Sequence, residues 1–272
     1  MQPKIMSSLL MSLIVVLAAC SPQAAFTPTV PPMTLTVFGA ASLTDAFTEI
    51  GKNFEAAHPG VTVVFNFGAS NQLAQQINQG APADVFASAN KAQMDVAIQS
   101  GRVISGTQQT FVKNRLVIIF PKENPGEIGT VNDLAQPSLK IVLAAKEVPV
   151  GQYSLDFLDK AAAEASLGAS FKENVLKNVV SYEENVRAVL TKVALGEADA
   201  GIVYTSDINS ESAKDVDQLA IPDALNTVAS YPIAALNDSP NADVAQQFVD
   251  YVLGPEGQNV LEKFGFIPVT DQ

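Results

Sequence analysis

Short apolar runs alternate with amphipathic segments over most of this chain. Apolar residues at helical spacing, such as Phe47, Ile50 and Phe54, predict helices between the runs, and Gly80 and Gly196 stand where two such helices are expected to end. The runs are rich in Val, Ile and Phe and predict buried strands at 35–38, 61–67, 84–87, 116–120, 140–144, 179–182, 201–204 and 231–236. Repeated strand–helix units are typical of α/β proteins, so we expect open, mostly parallel sheets flanked by helices.

The folded part of the chain is expected to form two lobes. About 240 residues suit two modest α/β lobes better than a single barrel. Apolar strands flank a middle block, which predicts that the chain crosses between the lobes near 111–114 and crosses back near 230–232. In this division lobe I comprises residues 34–110 and 233–272, and lobe II comprises residues 111–232.

The N-terminal segment is interpreted as an export signal. Lys4 precedes an apolar run of 15 residues that ends at Ala19, which is shorter than the roughly 20 residues a membrane span needs. The end of the run, Leu17-Ala18-Ala19-Cys20, resembles the lipobox of bacterial lipoproteins, in which the signal is cleaved before an acylated Cys. Residues 1–19 are thus predicted to be removed, and the uncharged, proline-rich stretch 20–33 to be a tether. The alternative is an ordinary signal peptide. Both place the folded part outside the cytoplasm, and the lipobox adds a lipid anchor at Cys20.

Composition and charge exclude several classes of protein. The chain carries 16 Lys and Arg against 28 Asp and Glu, a net charge of −12 without a basic cluster, which argues against nucleic-acid binding. A single His, His58, excludes most His-dependent catalytic triads and His-rich metal sites. A single Cys excludes intrachain disulfides and Cys-pair zinc sites. An apolar fraction of 47% with only 16% charged residues is typical of a compact globular protein.

Neutral hydrogen-bond donors recur where the predicted strands end. Ser42 and Ser70 each lie in a Gly-Ala-rich segment before a helix, and Tyr204 ends a strand. Helix starts at 148–153 and 183–186 add backbone N–H groups. None of these junctions carries Arg, and Lys146 is the only nearby Lys. Because ligands of α/β sheets bind where strands end and helices begin, the pattern favours a small dianion held by dipoles. The alternative is that both serines only cap helices, Ser42 in a capping box with Asp45.

Six segments together resemble one family. They are Val37–Thr44, Phe67–Ser70, Gly80–Phe86, Val148–Tyr153, Gly201–Tyr204 and Tyr231–Ala234. In this order they look like the ModA-type molybdate-binding proteins, which are the extracytoplasmic substrate-binding components of molybdate ABC importers. The resemblance covers about residues 35–266. One departure is Leu143-Ala144-Ala145, where many members of the family have Gly-Asp-Pro.

The resemblance implies a two-lobed, type II-like periplasmic-binding fold that closes around one tetrahedral oxyanion, molybdate or tungstate. In the family two Ser, one Tyr hydroxyl and two backbone N–H groups hold the ligand. By position these are Ser42, Ser70, Tyr204, Val150 and Val186. Molybdenum is then bound as molybdate, without a cofactor and without direct cation ligands. The implied partners are an ABC permease and, through Cys20, the membrane, and the protein is expected to be a monomer.

The same residue pattern is compatible with three other functions. Another oxyanion such as sulfate fits the same donors, whereas phosphate is disfavoured because it carries a proton at neutral pH and calls for an acceptor. An extracytoplasmic enzyme on the same fold is an alternative, although Ser88-Ala89-Asn90-Lys91 matches Ser-x-x-Lys without its companion Lys-Thr-Gly motif. Glu183-Glu184 is interpreted as a solvated helix start rather than a carboxylate pair. A sensory lobe is a third alternative. We predict a binding protein and not an enzyme.

Overall fold

The computed structural model describes residues 32–209 and 213–269. The predicted signal peptide, Cys20 and most of the tether lie outside these residues. The strands are β1 Met33–Ala40, β2 Val61–Gly68, β3 Val85–Ala87, β4 Gln109–Asn114, β5 Leu116–Pro121, β6 Ile141–Ala144, β7 Val179–Glu183, β8 Ala200–Tyr204, β9 Val216–Ala220, β10 Ala229–Ala235 and β11 Ile267–Pro268. The helices are α1 Thr44–Ala57, α2 Ser70–Asn78, α3 Lys91–Gln99, α4 Pro149–Ala163, α5 Phe171–Lys177, α6 Val186–Ala194, α7 Ala242–Leu253 and α8 Pro255–Lys263. No helix in the described ranges is long and apolar enough to cross a membrane.

The strands form two sheets. The first has the order β11-β4-β10-β3-β1-β2, and the second has the order β7-β6-β8-β5-β9. Pairing is parallel for β1 with β2 and β3, and for β6 with β7 and β8. Pairing is antiparallel for β10 with β3 and β4, and for β5 with β8 and β9. The expected α/β fold with flanking helices is therefore confirmed, and its sheets are mixed.

The chain passes between the two sheets twice. Arg115 separates β4, in the first sheet, from β5, in the second, and residues 221–228 lead back from β9 to β10. Residues 111–114 and 229–232 thus belong to strands of the first sheet, where Ala229 pairs with Asn114. The division of the chain into two lobes at 111–114 and 230–232 stays a prediction.

The predicted strands are present with ends shifted by one or two residues, and three further strands escaped prediction. Strand β4 carries Gln109 and Lys113 among its apolar residues, and β9 exposes Asp217 and Gln218, so neither is a continuous apolar run. Strand β11 has only two residues. Gly80 and Gly196 follow helix ends with φ of +89° and +70°, as predicted for residues that end a helix in the left-handed conformation.

An aromatic core fixes α1 against the first sheet. Phe47 and Phe54 on its inner face are fully buried, and Phe47 packs 5.7 Å from Phe111 of β4 between ring centroids. Phe248 of α7 packs edge-on against Phe47 and Phe54, with ring centroids 6.1 and 5.2 Å apart. Buried aromatic pairs of this geometry stabilise a fold beyond the area they bury. The start of α1, next to the end of β1, is therefore held in place.

Candidate functional site

The five residues implied by the resemblance surround one cavity. It lies where β1, β2 and β8 end and where α4 and α6 begin, and it is smaller than four other cavities in the described part of the chain. Its lining consists of Ala40, Ala41, Ser42, Gly68, Ala69, Ser70, Ala89, Val148, Pro149, Val150, Asn185, Val186 and Tyr204. None of these side chains is charged. The cavity suits a small ligand held by neutral groups.

Ser42 lies on a short 3-10 turn, Ala41–Leu43, between β1 and α1. Helix α1 begins only at Thr44, and no side chain caps it, so the predicted capping box with Asp45 is wrong. The Ser42 hydroxyl instead forms a hydrogen bond of 3.0 Å with the Tyr231 hydroxyl of β10. The extra turn places Ser42 before the first residue of α1, and its side chain lines the cavity.

Ser70 is the first residue of α2, and the capping position belongs to Ala69. Its hydroxyl oxygen accepts the backbone N–H of Ala89 at 2.9 Å and does not cap the helix. Because a hydroxyl has one proton and that bond uses a lone pair, the proton of Ser70 remains available to a ligand. The capping alternative is therefore wrong for both serines.

Helix N-termini supply the opposite wall. The first N–H groups of an α-helix have no partner within the helix, and the helix dipole favours negative charge there. Val150 follows Pro149 in the first turn of α4. The carbonyl of the capping residue, Val148, accepts its hydrogen bond from the N–H of Gln152 at 3.0 Å, two residues after Val150. Val186 begins α6, where the Asn185 side chain accepts the N–H of Ala188 at 3.0 Å. Both Val side chains are buried, and neither N–H group donates a hydrogen bond within the described part of the chain.

Gly151 does not line the cavity, but it fixes the position of the first turn of α4, a role that the sequence analysis did not predict. A Cβ atom at this position would overlap the carbonyl oxygens of Ala144 and Ala145. The first turn of α4 therefore packs directly on the backbone that follows β6, which only Gly permits. Its sequence signal was the Gly inside a helix start, at 149–151.

Tyr204 reaches the cavity from the end of β8. The side chain is buried, and its hydroxyl forms no hydrogen bond of good geometry within the described part of the chain. Burial raises its pKa well above the ordinary value, so the group is a neutral donor. A buried hydroxyl without a partner costs free energy, and a ligand that accepts its proton would recover that cost.

An ion-pair cluster lies directly behind this wall. Arg187, next to Val186, contacts Asp45 of α1 at 2.6 Å and Asp207 at 3.1 Å between nitrogen and carboxylate oxygen. The other oxygen of Asp207 accepts the backbone N–H of Tyr204 at 3.1 Å. Burial raises the pKa of Asp207 to about 6, against the opposing effect of Arg187. Arg187 immediately follows a junction expected to lack Arg, but two carboxylates pair with it and it does not line the cavity.

Other candidate residues lie outside the lining. Lys146 is exposed, and its Nζ lies 3.8 Å from Oε1 of Glu147. The Ser88 hydroxyl donates to the Asn90 carbonyl at 2.8 Å. Glu183 pairs with Lys192 at 2.6 Å. Among the residues that the structure describes, no three His, Cys, Asp or Glu side chains are grouped closely enough to hold a metal ion.

Known proteins resemble this chain over nearly its whole described length. The family model for bacterial extracellular solute-binding proteins matches residues 35–267. The molybdate-binding protein ModA of Mycobacterium tuberculosis is 39% identical over 239 residues, 88% of this chain and 86% of that protein. The ModA protein of Escherichia coli is 34% identical over 239 residues, 85% and 88% of the two chains.

Solved structures support the fold. The periplasmic molybdate-binding protein of Azotobacter vinelandii superposes with a TM-score of 0.73 at 21% identity, covering 88% of this chain and all of that one. At this identity the likeness concerns the fold alone. Together with the family match, these relatives show that the chain belongs to the bacterial extracellular solute-binding proteins, as a relative of the ModA molybdate-binding proteins.

Proposed function

We propose that this protein binds molybdate, and with it tungstate, outside the cytoplasm and delivers the ion to an ABC permease. One observation carries the proposal: three hydroxyls and two helix N-termini converge on a small cavity without a charged side chain. Ser42, Ser70 and Tyr204 would donate their protons, and Val150 and Val186 their backbone N–H groups. Molybdate is the proposed ion because the relatives at 39% and 34% identity are molybdate-binding proteins.

The chemistry of the donors favours a fully deprotonated oxyanion. Ser70 already accepts a hydrogen bond, and the Asn185 side-chain oxygen is occupied by the N–H of Ala188. Among the described residues, no carboxylate lines the cavity to accept a proton from a ligand. A dianion can be held by oriented N–H and O–H dipoles without a formal positive charge, as at other helix N-termini. The net charge of −12 does not prevent this, because exposed charges beyond about 8 Å are screened.

The remaining parts of the proposal concern the whole protein. We place the two sheets at the cores of two lobes that close on the ion, with crossings near 111–114 and 230–232, next to Arg115 and residues 221–228, which join the sheets. Cys20 carries the lipid anchor, the protein acts as a monomer, and it catalyses no reaction. A mature protein recovered without acyl chains on Cys20 would exclude the anchor. Equal radii of gyration for the ligand-free and the molybdate-bound protein, measured by small-angle X-ray scattering, would exclude closure.

Calorimetric titration of the purified protein with molybdate, tungstate, sulfate and phosphate tests the site. We expect tight binding of the first two. A hydrogen bond to a charged ligand is worth about 1.5–3 kcal/mol, so Ser42→Ala, Ser70→Ala and Tyr204→Phe should each weaken molybdate binding by roughly tenfold to a hundredfold.

The matched control is Ser100→Ala, which removes a hydroxyl bonded to the Ala97 carbonyl outside the cavity. Its affinity should equal that of the wild type. Unchanged affinity in both cavity Ser variants would contradict the site, and tighter binding of sulfate than of molybdate would replace the proposed ligand. Sulfate is the appropriate competitor because it is a tetrahedral dianion without a proton at neutral pH, so the same donors fit it.

A further inference from the structure

A chain of buried hydrogen bonds leads to Ser42 from outside the cavity. It starts at Asn114, the last residue of β4, passes through Tyr231 of β10 and ends at the Ser42 hydroxyl. All three side chains are at least 97% buried, since their exposed fractions are 0%, 0% and 3%. Neither Asn114 nor Tyr231 lines the cavity, so neither is among the proposed ligand-binding residues.

The orientation of the Asn114 amide follows from its neighbours. The backbone N–H of Arg115, 3.0 Å away, can only donate, so the atom facing it must be the amide oxygen. The Thr205 hydroxyl lies on the same oxygen, at 2.9 Å. The amide NH₂ group therefore points the other way, to the Ser206 hydroxyl at 2.9 Å and the Tyr231 hydroxyl at 3.4 Å.

This orientation favours one direction for the remaining bonds. Because the NH₂ group can only donate, the Tyr231 oxygen accepts from Asn114, which leaves the Tyr231 proton available for donation to Ser42 at 3.0 Å. Burial raises the pKa of Tyr231 above its usual value, so that proton is retained. When Tyr231 donates in this bond, the Ser42 oxygen accepts, and the Ser42 proton is available to a ligand in the cavity.

We propose that Tyr231, oriented by Asn114, is a positioning residue that holds Ser42 as a donor and thereby selects fully deprotonated oxyanions over hydrogen phosphate. The inference rests on the proposed function, since it assumes that the cavity holds an oxyanion. A serine hydroxyl without such a neighbour can rotate and accept a proton from the ligand as easily as donate one. The donor Tyr231 removes that freedom.

The test compares molybdate and inorganic phosphate near neutral pH, where phosphate carries a proton and molybdate does not. In Tyr231→Phe the ring stays and the hydroxyl is lost, so the edge-on contacts with Phe111, Tyr204 and Phe266 remain. We expect molybdate to bind about threefold to tenfold more weakly, the effect of one hydrogen bond, while phosphate binds as well as before or better. The ratio of the two affinities should therefore fall by at least about threefold.

A second variant reverses the chain of bonds. Asn114→Asp keeps the shape but replaces the donating NH₂ with an acceptor, which would turn the Tyr231 proton away from Ser42 and draw the Ser42 proton toward Tyr231. Added negative charge repels molybdate and hydrogen phosphate alike, so their affinity ratio isolates the effect on donor direction. That ratio should fall at least as far as in Tyr231→Phe. If Asn114→Asp does not fold, Tyr231→Phe decides alone.

Tyr251→Phe is the control, because Tyr251 packs edge-on against Phe54 away from the cavity. Its ratio should equal that of the wild type. A lower melting temperature in Tyr231→Phe with an unchanged ratio would show a packing role only and overturn the proposal. If the wild type binds sulfate and not molybdate, the proposed function fails, and the ratio of sulfate to phosphate judges the role of Tyr231 in the same way.

Discussion

The two walls of the cavity present their donors by different means. On the first wall, at the ends of β1 and β2, the donors are the side-chain hydroxyls of Ser42 and Ser70. On the second wall, at the starts of α4 and α6, most donors are backbone N–H groups, and Tyr204 adds one hydroxyl. The first wall thus depends on which residue stands at a position. The second depends on where the backbone runs, which is set by residues that never touch the ligand.

The largest expected effect therefore comes from moving the backbone of the second wall. In Gly151→Ala the new methyl group would overlap the Ala144 and Ala145 carbonyl oxygens, so the first turn of α4 must shift. We expect molybdate binding to fall by more than about a hundredfold, because a displacement of about 1 Å can cost that much at a positioned site. Overpacking against backbone should also lower stability by about 3 kcal/mol. Titration and chemical denaturation measure the two effects.

The control for this variant is Gly129→Ala. A Cβ atom there meets only the Asp133 carboxylate, at 3.9 Å, and the position does not have a positive φ. In an ordinary helix, replacing Gly by Ala stabilises the protein by about 1 kcal/mol. A loss of stability in Gly151→Ala would therefore have the opposite sign to the effect of helix propensity. Equal affinity in Gly151→Ala and the wild type would show that the second wall tolerates displacement.

The same contrast explains what the sequence could reveal. Ser42, Ser70 and Tyr204 are visible because hydroxyl residues at strand ends are a chemical pattern, whereas Val150 and Val186 came only from the resemblance, since a backbone N–H has no residue type. The capping interpretation of both serines failed because α1 begins after a 3-10 turn and Ala69 takes the capping position of α2.

Long-range partners could not be predicted at all. Tyr231 is 189 residues from Ser42 along the chain, and Arg187 is 142 residues from Asp45. Tyr231 approaches Ser42 because β3 lies between β10 and β1 in the first sheet, an order that no local sequence pattern reveals. The alternating strands and helices were nevertheless sufficient to predict the α/β fold, because buried strands are recognisable as short runs rich in apolar residues.

A smaller effect, on stability, is expected where the two walls are joined. Asp207 binds the Tyr204 backbone and, through Arg187, reaches Asp45 behind the first wall. Its pKa is raised by burial from 3.8 to about 6, so the folded state holds the proton more tightly than the unfolded state does. The corresponding stability is fully present below about pH 4 and is lost as the pH rises through about 6. The shift corresponds to about 2–3 kcal/mol.

Asp207→Asn should remove this component, so that the free energy of unfolding declines less between pH 4 and pH 7 than in the wild type. Urea denaturation at several pH values measures the slope. Asp217→Asn, which alters an exposed carboxyl of β9, should leave the slope unchanged. Identical slopes in Asp207→Asn and the wild type would show that Asp207 is ionised throughout and that the ion-pair cluster dominates over burial.

The smallest expected effect on binding concerns the Val side chains of the second wall. Val150→Ala and Val186→Ala keep the backbone N–H while removing buried methyl groups, which are 1% and 4% exposed in the native residues. Stability should fall by about 1–2 kcal/mol because small cavities form. Molybdate affinity should change by less than about threefold, since the donors and the helix dipoles are preserved. Titration beside Ser70→Ala, which also removes one small buried group, makes the contrast direct. A loss of affinity in the Val variants equal to that in Ser70→Ala would mean that side-chain packing, and not backbone donors, determines how the second wall holds the ion.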